Sequence, residues 1–188
     1  MKGLRVTAGT VLAASPELPD SSFSHSAVLM CEHTEEGAFG LVFNRLAGLS
    51  VRQLFPEHPL LHNCTLPVYQ GGPVGMDTAQ FLHRRPDLIP GGEELASGVF
   101  LGGDFDALSS LLLAEPVSVS KDVRLLIGYS GWGPGQLDDE LRGGSWLPAI
   151  LSPDVLFGVG EESSWRAVIR SIEGLGGLSH QPPDSSWN

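Results

Sequence analysis

Basic side chains are scarce in this chain. Eleven Lys and Arg stand against 22 Asp and Glu, a net charge of −11. Such a surface repels phosphate backbones at long range. No Lys/Arg stripe offsets this locally; the densest basic spot is Arg84–Arg85 beside His83. Direct nucleic-acid binding is therefore disfavoured. Cysteine is nearly absent, with Cys31 and Cys64 alone. That excludes a disulfide-stapled scaffold, and two thiols outside a CxxC pair suit a reducing, cytoplasmic setting. Spacing leaves a Cys31–Cys64 disulfide open. No uncharged apolar run reaches the length of about 18 residues that a membrane helix needs. The start, MKGLRVTAGTVLAASPEL, carries few positive charges, and Thr7, Gly9 and Thr10 interrupt its apolar stretch. Residues 4–14 are expected as a first core strand rather than an export signal.

What is present is a core. Of 188 residues, 41% are hydrophobic, enough for one domain. We expect that domain over 1–177, with 178–188 a flexible tail without periodicity. Ala27–Cys31 and Ala38–Asn44 flank the polar, glycine-ended Thr34–Gly37 and predict a hairpin, with Glu32 and His33 at the end of its first strand. Ser50 is placed to cap a short helix over Val51–Phe55, stopped by Pro56. Leu66–Gln70, Gln80–His83 and Val99–Leu101 read as strands, and 86–98 as irregular. Asp104 caps a helix over Phe105–Ala114, and Glu161–Ile172 reads as the last helix. Val123–Ile127 is a buried strand, followed by a glycine loop from Gly128 to Gly135 and a helix start at Gln136. Strands joined by tight turns, without a βαβ rhythm, predict an α+β fold with a mostly antiparallel sheet.

Four ordered motifs resemble one family. ASPELPDSSF with VLMCEHTEEGAFGLVFNR, GGPV at 71–74 with Gln80–His83 behind it, GYSGWGPGQLDDEL, and the late Trp165–Arg166–Ala167 are similar to the AlgH/YqgE family of bacterial proteins over about residues 4–175. Leu46 after Arg45, where members commonly carry proline, and Ser130, where alanine is common, depart from it. The resemblance implies a bifurcated sheet curled into a pseudo-barrel with flanking helices. It also implies a regulatory role, since one member is named as a regulator of alginate synthesis.

Candidate chemistry is sparse. On a regular strand Cys31 and His33 share a face, about 7 Å apart along the backbone, which permits a thiolate–imidazolium pair. Asn44 across the hairpin could orient the imidazole. A buried, inert cysteine is the commoner outcome. His25, Cys31, His33 and His83 lack recognised zinc spacings, so no metal site is expected. Ser130 sits in G-Y-S-G-W, where Trp132 breaks the G-x-S-x-G elbow. Gly131, Gly133 and Gly135 could present amides to an anion before the helix, but Asp138, Asp139 and Glu140 follow at once and repel one.

The sequence thus points to a module binding a small molecule or a protein partner. Its expected site lies between the hairpin residues Cys31, His33 and Asn44 and the loop residues Gly131, Trp132, Gly133 and Gln136. Regulation of gene expression would then run through a partner protein. The alternative is an enzyme with thiol-based or hydrolytic chemistry at Cys31 and His33. No cofactor is implied, and oligomeric state is open.

Overall fold

The computed structural model describes residues 4–18, 22–96, 98–158 and 161–172, with the side chains of 161–163 left out. The hairpin forms as its sequence dictates. Strand β1 (Val11–Ala14) is followed by β2 (Ala27–Thr34), a turn at Glu35–Glu36, and β3 (Gly37–Val42). The expected first strand is cut short. The Thr10 amide turns back to the Thr7 carbonyl at 3.0 Å and the Thr7 amide to Thr10 Oγ1 at 3.0 Å, so a turn over Thr7–Thr10 precedes the strand. Strand β4 (Leu46–Ser50) leads into α1 (Val51–Leu54). Ser50 caps that helix: its amide and hydroxyl both reach Gln53 Oε1 at 2.9 Å.

Strands β5 (Pro67–Gln70), β6 (Val74–His83), β7 (Glu93–Ala96) and β8 (Val99–Leu101) follow. The stretch expected to be irregular therefore contains β7, which pairs with β8. Asp104 accepts from the Ala107 amide at 2.9 Å and starts α2 (Phe105–Ala114), ahead of α3 (Pro116–Val119). Then come β9 (Val123–Trp132), α4 (Gln136–Arg142), β10 (Trp146–Ala149), α5 (Pro153–Leu156) and α6 (Glu161–Ser171). The expected tail, 178–188, lies outside the described residues. Among the described residues no helix is long and apolar enough to cross a membrane.

β9 organises the sheet. The glycine loop expected from Gly128 is strand as far as Trp132, because Tyr129 pairs with Val74 of β6 and Ser130–Trp132 pair with β3. One edge carries β6. The other changes partner: Leu125–Ile127 pair in parallel with Val68–Gln70, whereas Ser130–Trp132 pair antiparallel with Gly40–Ala38. The fork falls at Gly128. There φ is +68°, and a Cβ would lie 2.5 Å from the Gly72 carbonyl oxygen and 2.9 Å from that of Val74. Only glycine fits this crossing. One branch runs β3–β2–β1–β10, the other β5–β4, and β6–β8–β7 continue the far edge. A Cβ on Gly9, before β1, would meet the Ala96 side chain of β7 at 2.7 Å. The sheet thus curls back on itself, but β7 and β10 are not paired and it stays open.

Three apolar clusters fill the layers. Leu29, Leu41, Phe43, Leu82, Leu95 and Leu126 pack inside the curl, sealed by Trp165, Val168 and Ile169 of α6. Leu108 and Leu112 of α2 cover Val68, Phe81 and Leu125. Leu137 of α4 covers Leu12, Val28, Met30 and Val42. Alternation along β9 sends Leu126 to the first cluster and its neighbours Leu125 and Ile127 to the second.

His83 is wholly buried on β6, with its ring against Phe81 and Phe100. Its Nε2–H donates to the Gly102 carbonyl at 3.0 Å, and its Nδ1 accepts from the Arg85 amide at 3.1 Å. Both nitrogens are used by the neutral ring. Burial pulls its pKa below the histidine value of 6.5, partly opposed by the Gly102 bond and by Asp87. The unfolded chain therefore takes up this proton first as pH falls. The stability this residue contributes is complete above about pH 6.5 and is lost as pH falls through the lower folded value. Urea midpoints measured from pH 8 down to pH 5 should decline, and His83→Gln should flatten the decline. A slope unchanged in that variant would contradict the assignment.

Candidate functional site

β2 is interrupted where the chemistry was expected. Met30 pairs with Gly40 and Glu32 with Phe39, so Cys31 is the extra residue of a β-bulge. The bulge resets which face each later side chain takes. Cys31 drops into the cluster inside the curl, while His33 comes opposite Ala38 and turns to Val6 on the other side. The expected shared face for thiol and imidazole is therefore not formed. Cys31 is 5% exposed, and its thiol lies 3.8 Å from the Leu29 carbonyl oxygen. Burial, with help from the charge of Glu93, pushes its pKa up to about 12. Such a thiol is not a nucleophile at neutral pH. Both cysteines are free and buried.

Asn44 serves the backbone rather than the imidazole. Its Oδ1 accepts from the Ala27 amide and its Nδ2 donates to the His25 carbonyl, each at 2.8 Å. Ser130 is buried and donates to the Gly71 carbonyl at 3.1 Å, not to a base. Among the described residues no three His, Cys, Asp or Glu converge as a metal group.

The glycine loop closes on itself. The Gly133 amide donates to Gln136 Oε1 at 3.0 Å, and the Gln136 amide donates to the Gly133 carbonyl at 3.1 Å. Gly131 is paired in β9 opposite Phe39. Trp132 is buried, and it lines a smaller hollow of about 250 Å³ with Glu32, Thr34 and Phe39. What holds Trp132 was not legible in advance. Glu140 Oε2 accepts from Trp132 Nε1 at 2.8 Å and from Trp146 Nε1 at 2.7 Å, and Oε1 accepts from Gln136 at 2.9 Å. The two indoles meet edge to face at 5.9 Å. One carboxylate thus joins α4 to β9 and β10.

A hollow of about 450 Å³ lies where the hairpin approaches α4. Arg5, Val6, Thr7, His33, Glu35 and Asp138 are among its lining residues, with Leu4 and Leu141 giving apolar wall. Of the expected site residues, His33 alone lines it; Cys31, Asn44, Gly131, Trp132, Gly133 and Gln136 do not. The late segment contributes through Asp138 and Leu141 of α4 rather than through the loop. His33 Nδ1 lies 3.0 Å from the Val6 carbonyl oxygen. A carbonyl only accepts, so Nδ1 carries the hydrogen. Nε2 then faces Asp138 Oδ1 at 3.5 Å. That contact is an ion pair when the ring is protonated. The Gln136/Glu140 spacing of four could have flagged a helical pair. No local signal announces Val6 or Asp138 as partners of His33.

Replacing Glu140 with Ala should destabilise the fold by about 2–4 kcal/mol, because two partly buried indole N–H groups lose a charged acceptor. Urea unfolding followed by tryptophan emission reads this; a change within error would mean that the clasp contributes nothing. Iodoacetamide should leave Cys31 unmodified in the folded protein at neutral pH. Labelling with a midpoint near or below that of a free thiol would reopen the thiol chemistry.

The comparisons agree with this architecture. A family model described as AlgH-like matches residues 11–175. A UPF0301 protein of Chlorobium limicola is 38% identical over 166 residues, covering 88% of this chain and 87% of its own. One from Bacteroides thetaiotaomicron is 34% identical over 164 residues, 87% of this chain and 82% of its own. Among solved structures, protein DIP2367 of Corynebacterium diphtheriae superposes with a TM-score of 0.74 at 24% identity, over 96% of this chain and 95% of its own. The AlgH protein of Pseudomonas aeruginosa superposes with a TM-score of 0.71 at 27% identity, over 98% and 100%. With the family model spanning most of the chain and relatives matching it along nearly their whole length, the chain belongs to the AlgH-like family.

Proposed function

We propose that this chain is a non-catalytic binding module whose ligand, a small molecule or a segment of a partner protein, enters the hollow beside His33. The observation that carries the reading is the fixed imidazole. Val6 holds Nδ1, and Nε2 and the Asp138 carboxylate are left facing the same space. A rigid polar group in a concave, partly apolar wall is the usual composition of a ligand site. The thiol-enzyme alternative is weakened by the bulge and by the elevated Cys31 pKa.

A regulatory role in gene expression fits this reading only through a partner. A net charge of −11 gives no attraction to a phosphate backbone. We place the protein in the cytoplasm on the strength of its two free, buried thiols.

Thermal-shift screening against nucleotides, metabolites and acidic ligands should give at least one compound that raises Tm, with the shift lost in His33→Ala. A gel shift on random and promoter DNA at low salt should stay blank. A screen without a single His33-dependent shift, or a retarded DNA band, would overturn the reading.

A further inference from the structure

We infer that the chain has a second binding site, beside β4 and α1, that takes a carboxylate carried on a short aliphatic body, with Arg52 as its anchor. The site goes beyond the reading above, since its lining shares no residue with the His33 hollow.

The site is a hollow of about 380 Å³ lined by β4, α1 and the start of β5. Gly48 leaves room in it: the residue takes φ +74°, and a Cβ built there would meet nothing within 4 Å. Leu46, Leu49 and Pro67 supply apolar wall, and Leu46 is 48% exposed. The polar wall is made of donors. Gln53 Oε1 accepts from the Ser50 amide and hydroxyl, each at 2.9 Å, so the two hydrogens on its Nε2 remain for another acceptor. Thr65 adds a hydroxyl, and Arg52 brings the charge. Arg84, Arg85 and Arg142 are each paired with aspartates, whereas Arg52 makes no ion pair among the described residues.

The charge around the hollow selects the ligand. Among the described residues no Asp or Glu lines it, so a cation finds no partner there. One guanidinium with neutral donors beside it balances a single negative charge; a phosphate dianion would need a second cation. The guanidinium fork also matches the two oxygens of a carboxylate. The net charge of −11 opposes an anion at a distance. At physiological salt, charges beyond about 8 Å are screened, and the contact with Arg52 decides. The apolar wall then holds an alkyl body behind the carboxylate. A free aliphatic acid and the C-terminal residue of a peptide share this chemistry.

The test follows the amides of Gly48, Leu49, Arg52 and Thr65 by NMR in the full-length protein. Hexanoate should shift them saturably. Hexanamide keeps the body without the charge, and acetate keeps the charge without the body. Each should bind at least about tenfold more weakly than hexanoate. Hexylamine should not bind there. Arg52→Gln should weaken hexanoate by about tenfold or more with remote amides unmoved, and Arg142→Gln should leave its affinity unchanged. Hexanoate and acetyl-glycyl-leucine, compared directly, separate the free acid from the chain end: the tighter binder names the source. No saturable shift from either, or an unchanged affinity in Arg52→Gln, would overturn the assignment. So would hexanamide or acetate binding as tightly as hexanoate, or hexylamine binding at these amides. Hexanoate shifting the amides of Thr34, Glu35 and Asp138 instead would place the acid in the His33 hollow and overturn the second site alone.

Discussion

Two backbones cross almost in contact where β9 changes partner, and the rest of the fold follows from that crossing. Gly128 takes a left-handed φ of +68° with the Gly72 and Val74 carbonyls beneath it. Any Cβ there would part the strands. Because the crossing is tight, β9 can pair with β5 below it and β3 above it without a break. The two branches then diverge, and the wedge between divergent layers must be filled. Three clusters fill it, each capped by a helix: α6 over the inside of the curl, α2 over the β5 side and α4 over the β3 side. The position of α4, and hence of Asp138 opposite His33, is a consequence of where the upper branch leaves β9.

Elements whose signals are local were legible in the sequence. The β2–β3 hairpin has a polar turn between two apolar runs, and α1 and α2 have Ser50 and Asp104 at their starts. β7 and β10 were not legible, being four residues each and extended only because a partner strand lies alongside. β9 shows the opposite error. Its glycines suggest a loop by composition, yet Gly131 is a paired strand residue because its neighbours on both sides are already committed to the sheet. Composition reports what a backbone is free to do, and pairing decides what it does.

The site was half legible for a similar reason. His33 could be found as the polar end of a hairpin. Its relation to Cys31 could not, since one inserted residue reverses the face of everything beyond it. The bulge separates the two candidates for thiol chemistry by a sheet and leaves each in a different medium. Cys31 is sealed in the curl, where a charge is costly. His33 lies on the other face, where the Val6 carbonyl fixes the orientation of its ring. The same irregularity that buries the thiol turns the imidazole toward Val6 and Asp138.

The acid run Asp138–Asp139–Glu140 shows how the helix allots charge. Successive residues on an α-helix point about 100° apart, so three consecutive acids address three directions. Glu140 points inward and grips both indoles, Asp139 points to solvent and pairs with Arg142, and Asp138 points across to His33. Had all three faced solvent, they would only favour the helix N-terminus, which is worth a few tenths of a kcal/mol to about 1 kcal/mol each. Distributed this way, one acid fastens the helix, one is neutralised on its surface, and one is left to face a fixed imidazole. The clasp matters to the hollow for that reason. With α4 pinned through Trp132 and Trp146, Asp138 is held opposite the imidazole by the packing of the helix.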